Sequence, residues 1–240
     1  MTRLLSLVAL ALLLTDSAQA QDIAISLGDD GSLSGRAIQL IALMTVLSLA
    51  PGIAIMITCF PFVVTVLSIL RQAIGLQQAP PNMLIISLAL FITYFVMDPV
   101  FQASWQAGIK PLSEGEMTME QAFPLAMEPF RGFMAGRLDL DTFQSLLDLR
   151  EEPPGLDPVD APLSLLVPSF MLSEVERAFQ VGFIIFLPFL IIDLVVAAVL
   201  MSMGMMMVPP AVVSLPFKLA FFVVADGWSL ISSALIRSYF

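Results

Sequence analysis

The first half of the chain is dominated by uncharged, apolar sequence. No Asp, Glu, Lys or Arg occurs in the 34 positions between Arg36 and Arg71. As a single helix this stretch would be about 50 Å long, well beyond the ~30 Å hydrocarbon core of a bilayer. Because Pro51-Gly52 and Pro61 interrupt it, the pattern predicts a broken helix or a tight helical hairpin.

Three further apolar segments follow, and none shows the alternation of a β-strand. The first spans residues 83–97 and is expected to end at Asp98-Pro99. The other two, 178–207 and 211–236, are separated by Pro209-Pro210. The sequence therefore predicts an all-α chain with four hydrophobic blocks, arranged as membrane-associated helical hairpins.

An acidic segment separates the second block from the third. Residues 98–160 carry twelve acidic and four basic side chains, so this stretch is expected to lie in water. The capping-box spacing of Thr118 and Gln121 predicts that a helix begins there. Asp141 is a candidate N-cap for a second short helix over residues 142–149.

Composition indicates a membrane protein. Apolar residues make up 58% of the 240 positions, charged residues only 12%, and the mean hydropathy is +0.94. An average soluble domain is about 25% charged. A soluble globule of 26.0 kDa could not hide nearly every apolar side chain of this chain. We therefore expect a membrane-embedded assembly.

The N-terminus has the pattern of a secretory signal peptide. Arg3 provides the positive start, Leu4 to Leu14 the apolar region, and Ala18-Gln19-Ala20 the small-x-small cleavage site. A first transmembrane helix is the alternative, but about a dozen residues cannot cross ~30 Å of hydrocarbon. We expect residues 1–20 to be removed and residues 21–35 to form a short periplasmic segment.

Missing residue types exclude several kinds of chemistry. The chain has no histidine and one cysteine, Cys59, which excludes a histidine-based catalytic triad and an intrachain disulfide. No nucleotide-binding loop is visible, and a net charge of -10 argues against nucleic acid as a partner. We expect no enzyme activity, no catalytic residue, no cofactor and no metal.

Ionisable residues occur inside the apolar blocks at Asp193, Lys218 and Asp226, with Glu174 at the head of the third block. A charge at the bilayer centre costs at least ~2.5–3.5 kcal/mol, so such residues pair inside protein or line a water-filled path. We expect inter-helix or inter-subunit charge pairs among these four, with Glu174 another candidate partner for Lys218. A pathway lining is the alternative. Two aspartates inside apolar blocks are also a feature of intramembrane aspartyl proteases. The Gly-x-Gly-Asp motif of those enzymes is absent around both Asp193 and Asp226.

The stretch "MSMGMMMVPP", Met201 to Pro210, gathers five methionines directly before two prolines. Val208 precedes Pro209, which disfavours helical geometry there and places the methionines at a helix end beside a turn. Flexible thioether side chains can fill gaps in a core or seal a constriction. Copper(I) binding is a third interpretation, although no cysteine or histidine lies nearby.

Longer runs of sequence carry a family resemblance. Phe60 to Val100, "PSFMLSEVERAFQVGFIIFLPFLIIDLVVAAVLMSMGMMMVPP" and "SLPFKLAFFVVADGW" resemble the FliP family of flagellar export-gate proteins, which has relatives in virulence-type injectisomes. The resemblance covers approximately Arg36 to the C-terminus and is weakest across the acidic segment.

This resemblance implies a subunit of an oligomeric export-gate channel of flagellar type III secretion. It implies a pentamer that assembles with FliQ and FliR, beside other export-apparatus proteins and within the basal-body ring, and that passes unfolded protein substrates. The expected location is the bacterial inner membrane, with much of the chain toward the periplasm. A methionine loop serves the family as a pore gasket, and the match assigns that role to Met203, Met205, Met206 and Met207.

Aromatic residues of the insert, Phe133 and Phe143 together with Phe130, are possible pore-lining residues, and core contacts between short helices are the alternative. We expect hydrophobic helices over 36–97, an acidic periplasmic helical insert over 98–170, and a hydrophobic hairpin with the methionine loop over 171–240. The alternative function is a self-contained homo-oligomeric channel for ions or small molecules.

Overall fold

The computed structural model describes residues 33–75, 80–150, 155–205 and 207–240, and every regular element in these ranges is a helix. The predicted all-α fold is confirmed. The predicted signal peptide lies outside the described residues.

The elements are α1 Leu33–Met56, α2 Phe60–Ile74, α3 Asn82–Ser104, a π-helical turn Trp105–Ile109, α4 Lys110–Ser113, α5 Met119–Ala135, α6 Leu140–Asp148, α7 Leu163–Ser202, α8 Pro210–Val224 and α9 Gly227–Arg237.

Two compact units divide the chain at residues 1–48 and 49–240. In its described part, the first unit contains only the N-terminal portion of α1, where residues 37–45 are exposed. The second unit contains the hydrophobic core, the methionine turn and the buried charges.

The break between α1 and α2 falls at residues 57–59. Pro51 lies inside α1, whereas Pro61 lies in the first turn of α2, where a missing N–H leaves no hydrogen bond unmade. The Thr58 hydroxyl donates to the Ile55 carbonyl at 2.7 Å and accepts from the Phe60 N–H at 3.3 Å. The broken helix that the sequence predicts is present, with one hydroxyl satisfying backbone groups on both sides of the break.

Helix α3 does not end at Asp98-Pro99, where the sequence predicts an end. It continues to Ser104 and leads through the π-helical turn into α4. Proline removes one backbone hydrogen bond from a helix interior, and packing can offset that loss. Here α5 supplies the packing, and the Ser104 hydroxyl donates to the Ala126 carbonyl of α5 at 2.7 Å. Packing against α5 therefore keeps α3 helical beyond Pro99, although the local sequence predicts an end there.

The two helices of the acidic insert begin at capping residues. The capping box of α5 is confirmed, because the Gln121 side chain accepts the Thr118 N–H at 3.2 Å. For α6 the prediction is wrong by two residues: the cap is Asp139, not Asp141, and its carboxylate accepts the Thr142 N–H at 2.8 Å. The Thr142 N–H and hydroxyl hold the Asp139 pKa below its usual value of 3.8. This cap therefore stabilises the fold above pH 3.8 and loses its effect as the pH falls through the depressed pKa.

The core of the second unit forms where α2 lies between α3 and α7. Its buried side chains include Phe62, Val63, Val66, Leu67, Leu70, Ala89, Met97 and Ala178. A second cluster joins α5, α6 and α7 through Met134, Phe143, Leu147, Leu166 and Phe170. Burying a Val, Leu, Met or Phe side chain contributes roughly 1.5–3 kcal/mol, so these clusters fix how the helices pack.

The crossing of α2 and α7 depends on Gly182. A Cβ at this position would lie 2.4 Å from Ile69 Cδ1 and 3.1 Å from its Cγ2. Because Cδ1 is the end of a flexible side chain and alanine favours a helix, we expect Gly182→Ala to lower the free energy of unfolding by only about 1 kcal/mol, measured by thermal unfolding in detergent. Ile69→Val removes the Cδ1 atom and should recover part of the loss in the double variant. A double variant no more stable than Gly182→Ala would contradict this packing.

Several described helices have the length and composition of membrane spans. These are 37–56, 82–113 and 163–202, together with α8 and α9 as one span bent by 60°. Helix α7 has 40 residues and is about 60 Å long, twice the thickness of the hydrocarbon core. Its exposed apolar side chains include Phe179, Phe183, Ile184, Leu190, Ile191, Leu194 and Val195. All exposed apolar side chains of α7 together run from Leu172 to Met201, about 44 Å along the helix axis, so a helix along the membrane normal would leave part of this surface outside the hydrocarbon.

Candidate functional site

Met203, Met205 and Met207 lie in the turn between α7 and α8. Gly204 has a φ of 75°, in the left-handed region that glycine adopts without a steric penalty. The Met205 N–H donates to the Leu200 carbonyl at 3.0 Å and the Gly204 N–H to the Met201 carbonyl at 3.0 Å, the pair of bonds that ends a helix in a Schellman motif. Pro209 then precedes α8, as the sequence indicates. The backbone at the end of α7 is therefore tightly specified.

The side chains of this turn are open to their surroundings. Met203, Met205 and Met207 are 66%, 42% and 98% exposed, and Met206 lies outside the described residues. Methionine is among the residue types most often buried, so this exposure indicates a surface that something else covers. Beside the turn lies a cavity of about 550 Å³, lined by Met203, Met205 and apolar side chains of α7 and α8 such as Val199 and Phe217.

Lys218 and Asp193 form an ion pair between α8 and α7. The distance from Lys218 Nζ to Asp193 Oδ2 is 2.6 Å, and the Ser214 hydroxyl donates to Oδ1 at 2.5 Å. The Lys218 side chain is 7% exposed and that of Asp193 is 31% exposed. Both carboxylate oxygens therefore have a donor, which offsets the cost of removing the charges from water.

The same ammonium also reaches the C-terminus of α2. Lys218 Nζ donates to the Ala73 carbonyl at 3.1 Å, and α2 ends at Ile74 with Gly75 in a left-handed conformation. Carbonyls at a helix C-terminus lack intrahelical partners and carry partial negative charge. Lys218 therefore joins α2, α7 and α8 at one point.

Glu174 contacts Arg137 and not Lys218. Arg137 Nε lies 3.1 Å from Glu174 Oε1, Arg177 lies 3.9 Å from the same oxygen, and the Glu174 side chain is fully buried. Within one chain, Glu174 lies too far from Lys218 to form an ion pair with it. Asp193 is nineteen positions further along α7, and a helix rises about 28 Å over that distance. The two carboxylates belong to separate sites.

The C-terminal residues complete the site around Glu174. The Tyr239 hydroxyl donates to Glu174 Oε2, and Arg137 Nη1 donates to the Ser238 carbonyl at 2.7 Å. The guanidinium also lies 4.0 Å from the centre of the Tyr239 ring, within the range of a cation–π interaction. Burial and the Glu174 carboxylate raise the pKa of the Tyr239 phenol, so this hydroxyl remains a proton donor at neutral pH.

Asp226 occupies the bend between α8 and α9. It is exposed, serves as the N-terminal flanking residue of α9, and has a φ of 47°. Within the described ranges, the ion pairs of the chain do not include it. An intersubunit partner for Asp226 remains a prediction.

Three aromatic residues of the insert, Phe130, Phe133 and Phe143, pack inside the single chain. Phe143 is 3% exposed in the second core cluster. Phe133 stacks on Tyr239 with ring centres 6.0 Å apart and meets the edge of Phe170 at 5.7 Å, while Phe130 lies 5.9 Å from Phe101. These are the core contacts that the sequence leaves open as the alternative to a pore lining.

Arg137, Ser214 and Tyr239 are the residues of these sites that the sequence does not single out. Ser214 lies four residues before Lys218 on the same face of α8, so helical spacing is a usable signal for it. Arg137 is one of four bases in an acidic segment, and Tyr239 is one of two tyrosines in the chain. Neither observation predicts that Arg137 or Tyr239 contacts Glu174, which is more than thirty residues away from each of them in the sequence.

Comparison with known proteins gives one consistent result. The family model described as the FliP family matches residues 43–235. Flagellar biosynthetic protein FliP of Caulobacter vibrioides is 52% identical over 215 residues, which cover 90% of this chain and 81% of that protein. The protein of the same name from Agrobacterium fabrum is 43% identical over 244 residues, with 100% of both chains covered. The one from Bacillus subtilis is 46% identical over 205 residues, 84% of this chain and 91% of that protein. The chain belongs to the FliP family.

Proposed function

We propose that this chain is a pore-forming subunit of the export gate that passes unfolded flagellar proteins across the bacterial inner membrane. The flagellar role is supported by the relatives, each of which is named Flagellar biosynthetic protein FliP. The observation that carries the pore assignment is the exposure of Met203, Met205 and Met207 at the tip of an apolar hairpin.

Several copies around an axis would bring these turns together as a collar of thioether side chains. Methionine has three rotatable bonds, so such a collar can close against ions and then adapt to a passing chain of varied sequence. The backbone at the end of α7 is fixed by Gly204 and by the hydrogen bonds of Gly204 and Met205. A fixed backbone that carries flexible side chains suits a seal.

The collar requires partners, and the exposed surface of α7 supports their presence. Its exposed apolar side chains extend over about 44 Å, from Leu172 to Met201, more than lipid covers along the membrane normal. We assign this cover to further copies of the chain, as a pentamer, and to FliQ and FliR. The acidic insert then lies on the periplasmic side, within the basal body. Energy for transport comes from other components.

Replacing the methionines Met205 to Met207 by alanine tests the proposal. Alanine lacks the long thioether, so we expect the complex to form while its ion conductance in planar bilayers rises several-fold. Met119→Ala is the matched control, because Met119 is 66% exposed but lies on α5 of the insert. An assembled complex of unchanged conductance would contradict the gasket.

The composition of the purified complex separates this proposal from a self-contained channel. Purification through a tag on this chain should also recover two other small hydrophobic proteins. A homo-oligomer that alone conducts selected ions would instead support the channel.

A further inference from the structure

Three parts of the chain that are distant in sequence meet at the carboxylate of Glu174. Arg137 follows α5 and precedes α6, Glu174 lies on α7, and Tyr239 follows α9 at the end of the chain. Arg137 and Ser238 are 101 positions apart, yet they are joined by a hydrogen bond of 2.7 Å. This junction is distinct from the methionine turn and from the Lys218 site.

Both oxygens of Glu174 are used. Oε1 accepts from Arg137 at 3.1 Å, and Oε2 accepts from the Tyr239 hydroxyl. The Glu174 side chain is fully buried, so water does not replace a donor that leaves. Losing one donor to a buried charged acceptor therefore has a large cost.

The Tyr239 ring also contacts several side chains. It stacks on Phe133 with an interplanar angle of 17° and meets the edge of Phe62 with ring centres 5.7 Å apart. The Arg137 guanidinium covers the ring at 4.0 Å and donates to the neighbouring Ser238 carbonyl. Phe240, the next residue, is 79% exposed. The segment after α9 is therefore anchored through Ser238 and Tyr239.

We propose that Ser238 and Tyr239 form a latch that fastens α9 to the acidic insert, with Tyr239 as the residue that positions Arg137 on Glu174. The latch acts on α6 as well, because Arg137 lies two residues before Asp139, whose N–H donates to the Ser173 hydroxyl of α7 at 2.8 Å. Helix α9 and the start of α6 then open together. The latch stands on these contacts alone and does not depend on the proposed pore.

Hydrogen exchange on chains shortened at the C-terminus tests the latch. The full chain, a chain ending at Tyr239 and a chain ending at Arg237 are purified in mild detergent and compared by mass spectrometry. The chain ending at Arg237 should exchange roughly ten- to a hundredfold faster over residues 137–143, the factor expected for a lost hydrogen bond to a charged group. The chain ending at Tyr239 should exchange like the full chain, because Phe240 is exposed.

A single-atom variant separates the latch from a general loss of packing. Tyr239→Phe keeps the ring and removes the hydroxyl, so residues 137–143 should exchange faster while residues 119–126 remain unchanged. In a Glu174→Leu background, which removes both acceptor oxygens, Tyr239→Phe should add little, since the two side chains act as a pair. Faster exchange confined to α9, with residues 137–143 as protected as before in the chain ending at Arg237 and in Tyr239→Phe, would overturn the proposal. If the chain ending at Arg237 does not fold, the exchange of residues 137–143 in Tyr239→Phe tests the proposal by itself.

Discussion

Lys218→Met is expected to destabilise the protein by about 3 kcal/mol and to prevent its recovery in a stable complex. Methionine preserves much of the unbranched stem but removes the ammonium that Asp193 and the Ala73 carbonyl share. Removing one partner of a buried ion pair costs about 3–5 kcal/mol. The 31% exposure of the Asp193 side chain places the expected value at the lower end.

Thermal unfolding in detergent and the yield of purified complex measure this effect. Adding Asp193→Leu to Lys218→Met should recover most of the loss, because no unpaired charge is left inside the protein. Ser214→Ala is the control, which removes one hydrogen bond to Asp193 and should cost only about 1 kcal/mol. Normal assembly of Lys218→Met with loss of transport would show that the pair serves the pathway instead.

Gly108→Ala is expected to cost about 3 kcal/mol, the upper part of the range for an overpacked site. A Cβ on Gly108 would lie 2.6 Å from the Ala122 carbonyl oxygen, 2.7 Å from the Ala126 Cβ and 2.8 Å from the Ala126 nitrogen. Two of these atoms belong to the backbone of α5, so no change of rotamer relieves the contact. The helices would have to separate, and the hydrogen bond from Ser104 to the Ala126 carbonyl would break with them.

The matched control is Gly132→Ala on α5, whose added Cβ would meet nothing within 4 Å. Because alanine favours a helix more than glycine does, this control should be as stable as the wild type or more stable by about 0.5–1 kcal/mol. Both variants are compared by thermal unfolding in detergent. If Gly108→Ala unfolds at the wild-type temperature, the close contact between the π-helical turn and α5 is refuted.

Local features of this fold are predictable from the sequence, and tertiary ones are not. The break before Pro61, the capping box at Thr118 and the turn before Pro209 each depend on residues within a few positions of one another. The continuation of α3 through Asp98-Pro99 depends on α5, which lies more than twenty residues away. A proline in a helix interior weakens it by an amount that distant packing can recover.

The partners of the buried charged residues could not be predicted from the sequence, because they too depend on tertiary packing. Glu174 and Asp193 are both acidic residues of α7, and composition does not distinguish which of them faces Lys218. The choice follows from the uninterrupted length of α7 and from the position of the turn at Gly204, which places α8 beside Asp193. Arg137 is equally a matter of tertiary structure, since only the folded chain brings it to Glu174.

The ion pair between α7 and α8 also dictates an order of events during synthesis. Lys218 follows Asp193 by 25 residues, so at about 5–20 residues per second the ribosome delivers the ammonium ~1–5 s after the carboxylate. Until then, α7 carries an uncompensated acid that hydrocarbon disfavours. We therefore expect the two helices to enter the bilayer together, with α7 leaving the insertion machinery only after Lys218 has emerged.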